Sequence, residues 1–194
     1  MTQVRRADTV RPMLPDSAHY LSTRGQAPRA DFAEALMRGM APDGGLYMPE
    51  AWPTLPARGI EAGADYKAIG LDVLPAFVGD ALPTGALERA LDALVAGFGH
   101  PAVTPLVQLE DGLFLLELFH GPTAAFKDLA MQLVAALADE ALQASGKRLT
   151  LLTATSGDTG AAAVRAFAGK DRIRLVVLHP VSYTHLTLPT ICSV

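Results

Sequence analysis

Residues 149–168 read Leu149-Thr150-Leu151-Leu152-Thr153-Ala154-Thr155-Ser156-Gly157-Asp158-Thr159-Gly160-Ala161-Ala162-Ala163-Val164-Arg165-Ala166-Phe167-Ala168. The apolar run Leu149–Thr153 has the length of a buried strand, and Thr159–Ala168 is alanine-rich and helix-forming. Between them lies a turn with Gly157, and Gly160 follows at the start of the helical stretch. The pattern continues outward: Phe126–Ala144 predicts a largely buried helix and Ile173–Leu178 a further strand. Helices alternating with short apolar strands imply an α/β fold with a parallel sheet, because parallel neighbours need a crossover and the usual crossover is a helix. Before that, Pro105–Glu110 and Leu113–Phe119 predict strands around an Asp111-Gly112 turn.

The change of texture after His100-Pro101 marks a domain boundary, and residues 18–99 read as a small, mostly helical N-terminal domain. Asp31 and Glu34 form a capping box for a helix with Phe32, Leu36 and Met40 on its buried side and Gly39 at its end. Ala41-Pro42-Asp43-Gly44-Gly45 is turn chemistry leading into an extended Leu46-Tyr47-Met48. Ile69, Val73, Leu74 and Phe77 fall at helical offsets from Tyr66, interrupted by Gly70 and Pro75. Thr84 is a candidate cap for the next helix, with Leu87, Leu91, Leu94, Val95 and Phe98 in one stripe. Residues 1–17 carry no periodicity and two prolines, and read as a loose lead-in.

Composition excludes several classes. The 194 residues carry 16 Lys+Arg and 20 Asp+Glu, a formal charge of −4, with no polybasic arm to neutralise phosphates, so nucleic acid is not the expected partner. Half the residues are apolar, enough for a core, so disorder is not expected. The single cysteine, Cys192, cannot form an internal disulfide, and the five histidines have no metal-ligand spacing, so no metal is expected. The longest apolar stretch, Leu129–Ala138, is too short to span a bilayer, and no secretory signal is legible; a cytoplasmic protein is expected.

Two strand-to-helix junctions carry unusual residues. Lys127 opens an almost wholly apolar helix, where the positive end of the helix dipole and partial burial disfavour the ammonium form. An amine that loses its proton readily is what covalent bonding to a carbonyl requires. The alternative is a snorkelling lysine paired with Asp128. At the second junction, Gly157 and Gly160 free backbone N–H groups, Ser156 and Thr159 add hydroxyls, and the helix N-terminus favours an anion. Against this, Asp158 can simply cap the helix. The Walker A, Rossmann and nucleophile-elbow patterns are absent.

Taken together, His120-Gly121-Pro122-Thr123-Ala124-Ala125-Phe126-Lys127-Asp128 and Ser156-Gly157-Asp158-Thr159-Gly160 resemble the two motifs of the threonine synthase family of pyridoxal-phosphate enzymes. Tyr20-Leu21-Ser22-Thr23-Arg24-Gly25, Phe32–Leu36 and Ala41–Tyr47 are similar to its N-terminal domain, and the resemblance runs from about Tyr20 to Pro180. It implies the start of a tryptophan-synthase-β-like (fold type II) catalytic domain over residues 100–180. It further implies a lyase that turns O-phospho-L-homoserine and water into L-threonine and phosphate. Lys127 would hold pyridoxal 5'-phosphate and then move protons at the α and β carbons. Asp158 stands where related enzymes place Asn near the cofactor's ring hydroxyl, and Ser156, Gly157, Thr159 and Gly160 would receive the substrate carboxylate. His120 and Thr123 either line the site or shape the turn. Arg24 would meet substrate phosphate or make a surface ion pair.

The family's glycine-rich loop for the cofactor phosphate and its partner for the pyridine nitrogen lie in a further half with no counterpart here. Residues 181–194 match nothing in the family and resemble translated adapter sequence, so a foreign tail is expected, the alternative being a genuine divergent C-terminus. Related lyases of the same fold, such as a dehydratase or a threonine-synthase-like phospholyase, are the competing activities. A non-catalytic, aggregation-prone piece with bare strand edges is the competing class.

Overall fold

The computed structural model describes residues 18–54, 63–155 and 157–179; the expected lead-in at 1–17 and tail at 181–194 lie outside them. The chain begins with β1 (His19–Ser22), β2 (Ala30–Asp31), α1 (Phe32–Arg38) and β3 (Tyr47–Pro49), the three strands forming an antiparallel sheet in the order β2-β1-β3. This sheet is an addition to the mostly helical domain expected of residues 18–99. Asp31 caps α1 by accepting the Glu34 N–H at 2.7 Å. Glu34 does not reach back to complete the box; its carboxylate pairs with Arg38 at 2.8 Å, one turn on, where helix geometry brings the two side chains together. Met40, expected on the buried side, is 58% exposed because the helix ends at Gly39, which takes φ +68°.

The turn before β3 is organised by Asp43. Its carboxylate accepts the Ser22 hydroxyl at 2.6 Å, the Gly45 N–H at 3.0 Å and the Gln26 N–H at 3.0 Å. These bonds, the Ser22 hydroxyl first, hold its carboxyl below the ordinary value of 3.8. A depressed folded-state value means that the bonds stabilise the fold fully above the unfolded value and are lost as pH falls through the folded one. Asp43→Asn should therefore lower the urea midpoint at pH 6, and the gap to wild type should narrow as the pH falls through the depressed folded-state value of Asp43, where its carboxyl becomes neutral.

Next come α2 (Tyr66–Val73), α3 (Pro75–Val78) and α4 (Ala86–Ala96). Asp65 caps α2, and Pro75 starts α3 at its first position, so the single periodic run splits where proline lacks an N–H. Thr84 does not cap α4; Gly85, left-handed at φ +76°, stands in the cap position without a side-chain bond. The buried face of α4 is Ala86, Ala90, Leu91 and Leu94.

The second half contains β4 (Leu106–Glu110), β5 (Leu113–Leu116), α5 (Lys127–Ser145), β6 (Leu149–Ala154), α6 (Asp158–Phe167) and β7 (Ile173–Leu178). β6 and β7 are parallel in register from Leu149 opposite Ile173 to Ala154 opposite Leu178, with α6 as their crossover. β4 and β5 form a separate antiparallel hairpin, which stops at Leu116 rather than Phe119. Ala135, Ala138 and Leu142 of α5 pack against Ala163, Ala166 and Phe167 of α6 and Ile173 of β7. On another side of α5, Ala136 and Leu137 meet Ala90 of α4. Alanine at these contacts lets helix axes approach closely. Arg89 of α4 also grips Glu140 of α5 with two bonds, at 2.7 and 2.5 Å, which holds the Glu140 carboxyl below its usual value. Every residue of β4 and β5 is exposed, Leu106, Leu109, Leu113, Phe114 and Leu116 included, and Leu152, Val176 and Leu178 are exposed on the β6–β7 sheet. No helix among the described residues is long and apolar enough to cross a membrane.

Candidate functional site

The two motifs meet. Lys127 is the first residue of the 19-residue α5 and Asp158 the first of the 10-residue α6, and Lys127 Nζ lies 3.9 Å from Asp158 Oδ2. Two helix N-termini, each a locus of partial positive charge, thus open at neighbouring points. The lysine is not paired with Asp128, the alternative considered from the sequence. Its amine lies 4.6 Å from the centre of the Phe126 ring; the lysine side chain is 30% exposed, whereas that of Asp158 is 70% exposed. The surroundings of the amine are therefore a ring face and a carboxylate rather than purely aliphatic.

Asp158 does not cap α6 either. Thr155 serves as the cap, its hydroxyl accepting the Gly157 N–H at 3.3 Å and the Gly160 N–H at 3.2 Å. A Cβ on Gly160 would stand 2.4 Å from Thr155 Cγ2, so this glycine is required for the close approach of Thr155. Gly160 is buried and its N–H also donates to the Gly157 carbonyl at 3.0 Å. Gly157 has nothing within 4 Å of where a side chain would begin, and it lies exposed beside Asp158, with Thr159 half-buried. Ser156 lies outside the described residues.

In the first motif, Thr123 spends both polar groups on Asp128: its N–H donates to Oδ2 at 2.8 Å and its hydroxyl to Oδ1 at 2.8 Å. Of its two expected roles, lining the site or shaping the turn, these bonds belong to the second. His120 Nε2 lies 2.6 Å from Glu117 Oε2, and its ring tilts against Phe119 and His100, with centroids 4.7 and 5.0 Å away. It too is engaged by protein groups. Arg24 makes no ion pair among the described residues; its guanidinium donates to the Asp43 carbonyl at 2.9 Å and covers Gly44. Sequence reasoning missed Thr155 as a cap and Asp128 as an anchor. The signal for Thr155 was available, a hydroxyl residue two positions before the glycine that opens a helix. Among the described residues no group of His, Cys, Asp and Glu could hold a metal ion.

What the geometry offers is a primary amine beside a carboxylate, next to an uncrowded glycine turn at a helix N-terminus. That combination fits an anionic carbonyl compound. Comparison with known proteins agrees. The profile described as threonine synthase N terminus matches residues 19–94. Threonine synthase of Pseudomonas aeruginosa is 41% identical over 163 residues, covering 83% of this chain and 35% of that protein. Threonine synthase-like 2 of Rattus norvegicus is 40% identical over 164 residues, covering 83% of this chain and 34% of that protein. The pyridoxal-phosphate-bound crystal structure of threonine synthase from Brucella melitensis superposes with a TM-score of 0.80 at 48% identity, covering 84% of this chain and 36% of that one. The architecture is therefore that of the first part of a fold type II enzyme. The chain belongs to the threonine synthase family and spans about a third of the length of the curated relatives it matches.

Proposed function

We propose that this chain carries the amine-bearing part of a threonine synthase, which converts O-phospho-L-homoserine and water to L-threonine and phosphate. The observation that carries the reading is the meeting of Lys127 and Asp158 from two separate motifs at 3.9 Å. In this reading residues 18–99 are the N-terminal domain and residues 100–180 the first part of the catalytic domain. Pyridoxal 5'-phosphate, when bound, supplies a sink for the electron pair left on carbon. Lys127 would hold it, and Asp158 would stand by its ring hydroxyl.

The positions of the protein groups support the roles proposed for them. The Lys127 amine, once neutral and released, takes and returns protons at the α and β carbons of the substrate. Its perch between the Phe126 ring and Asp158 limits its conformers, so little ordering remains when it acts. The Gly157 turn and Thr159, with Ser156, receive the substrate carboxylate at the positive end of α6. Thr155 holds that turn in place, while His120 and Thr123 shape the approach to Lys127.

Incubation with pyridoxal phosphate and O-phospho-L-homoserine should release phosphate and threonine in equal amounts, and borohydride should fix a pyridoxyl group on Lys127. No fixation at Lys127 overturns the reading. The 40% identity with threonine synthase-like 2 favours one second reading, a phospholyase of the same fold with a different product. Phosphate with 2-oxobutyrate and no threonine would select it. The exposed apolar residues of β4 and β5 favour the other, a chain that is inactive alone.

A further inference from the structure

We propose that Asp128 is a positioning residue for Lys127: its buried carboxylate binds Thr123 by both N–H and hydroxyl, and so pins the 120–126 turn that delivers the amine to Asp158. The proposal rests on reading Lys127 as the reactive amine. Asp128 has no exposed surface, and the two oxygens take one bond each, at 2.8 Å. Burying a carboxylate is costly unless its oxygens are hydrogen-bonded, and its place in the first turn of α5 adds the favourable field of the helix N-terminus.

The direction of these bonds separates the role from ordinary capping. A capping side chain stands before its helix and accepts N–H groups from within it, whereas Asp128 stands inside α5 and accepts from Thr123, five residues earlier and outside the helix. Its bonds therefore tie the incoming turn to the helix. Two neighbours carry the imprint of that tie. A Cβ on Gly121 would come within 2.5 Å of both Cβ and Oδ2 of Asp128, so the turn passes over the carboxyl at a distance only glycine permits. Ala124 holds a left-handed φ of +57°, a conformation that an alanine keeps only when its surroundings impose it. Lys127 immediately precedes Asp128 in the chain, and its amine lies over the Phe126 ring and turns to Asp158 instead of to the adjacent Asp128.

The test uses Thr123→Val, which removes the hydroxyl and keeps the N–H bond; Thr123→Ser, which restores the hydroxyl; and Asp128→Asn, which keeps the shape without the charge. Each full chain is acetylated with a limiting amount of acetic anhydride. The rate at Lys127 is read by peptide mass spectrometry against Lys67, Lys147 and Lys170 in the same sample. The expected result is a rise of about threefold or more in relative Lys127 acetylation for Thr123→Val and Asp128→Asn, as the amine leaves its perch, with Thr123→Ser at the wild-type ratio. In parallel, the selectivity of borohydride-fixed pyridoxylation for Lys127 should fall about threefold or more in the first two variants only. Folded Thr123→Val and Asp128→Asn proteins with wild-type ratios overturn the proposal, and if Asp128→Asn does not fold, Thr123→Val decides alone. A wild-type chain that is not pyridoxylated at Lys127 would sink the functional reading, while the acetylation ratios would still decide the positioning role.

Discussion

If the proposed function holds, Lys127→Ala should abolish borohydride fixation of pyridoxal phosphate at this position and lower threonine formation by about 10³-fold or more, because one amine would both hold the cofactor and move the substrate's protons. Lys127→Arg should fail equally, since a guanidinium stays protonated and is not a nucleophile near neutral pH. Neither variant should disturb the fold. The lysine is 30% exposed, and its 3.9 Å approach to a carboxylate that is 70% exposed contributes little to stability, so the urea midpoint should shift by no more than the equivalent of about 0.5 kcal/mol. The check is a paired measurement of product and unfolding on the same preparation. Lys127→Ala with threonine output near wild type would remove the amine from the chemistry altogether.

Gly121→Ala should give the opposite signature, a large loss of stability from the smallest possible side chain. The added methyl would sit 2.5 Å from Asp128 Cβ and Oδ2 and 2.9 Å from its Cγ. These atoms cannot swing aside as the end of a surface lysine could. The carboxyl is buried, bonded to Thr123 on both oxygens, and sits on the first turn of α5, whose remaining length is packed against α4 and α6. Relief requires either moving the turn, which breaks the Thr123 bonds and strands a buried carboxylate, or shifting α5. We expect about 2–3 kcal/mol of destabilisation, read as a lower urea midpoint at unchanged slope. The control is Gly112→Ala, at a glycine with no atom within 4 Å of the new methyl; there the only penalty is its φ of +78°, about 1 kcal/mol. Equal effects at the two positions would mean that the 120–126 turn yields freely, and the clamp would not exist.

Much of the fold was legible because it rests on local periodicity. The α5–β6–α6–β7 succession appears within a residue or two of its predicted limits, since buried apolar runs and alanine-rich stretches each favour one backbone conformation. Errors gathered where a local preference competes with a tertiary partner. Glu34 had a helix N-terminus behind it and Arg38 ahead, and took the cation. Thr84 lost the cap of α4 because the chain enters through a left-handed Gly85. Met40 followed the stripe of α1 in register but lay beyond the glycine that ends it.

The candidate site divides along the same line. Sequence alone determined the α/β succession, the small N-terminal region before it, and the family to which the two motifs point, because these depend on residue order and spacing. Tertiary structure alone decided how the motif residues are employed. It brought Lys127 to Asp158 across thirty-one positions of sequence, released Asp128 from its neighbour to hold Thr123, and gave the α6 cap to Thr155. The reason is physical: a polar side chain has several possible partners within reach, and which one it binds is settled by packing. Here the close contacts of α5 with α4 and α6 fix where each helix begins, and thereby which donors and acceptors are left facing one another.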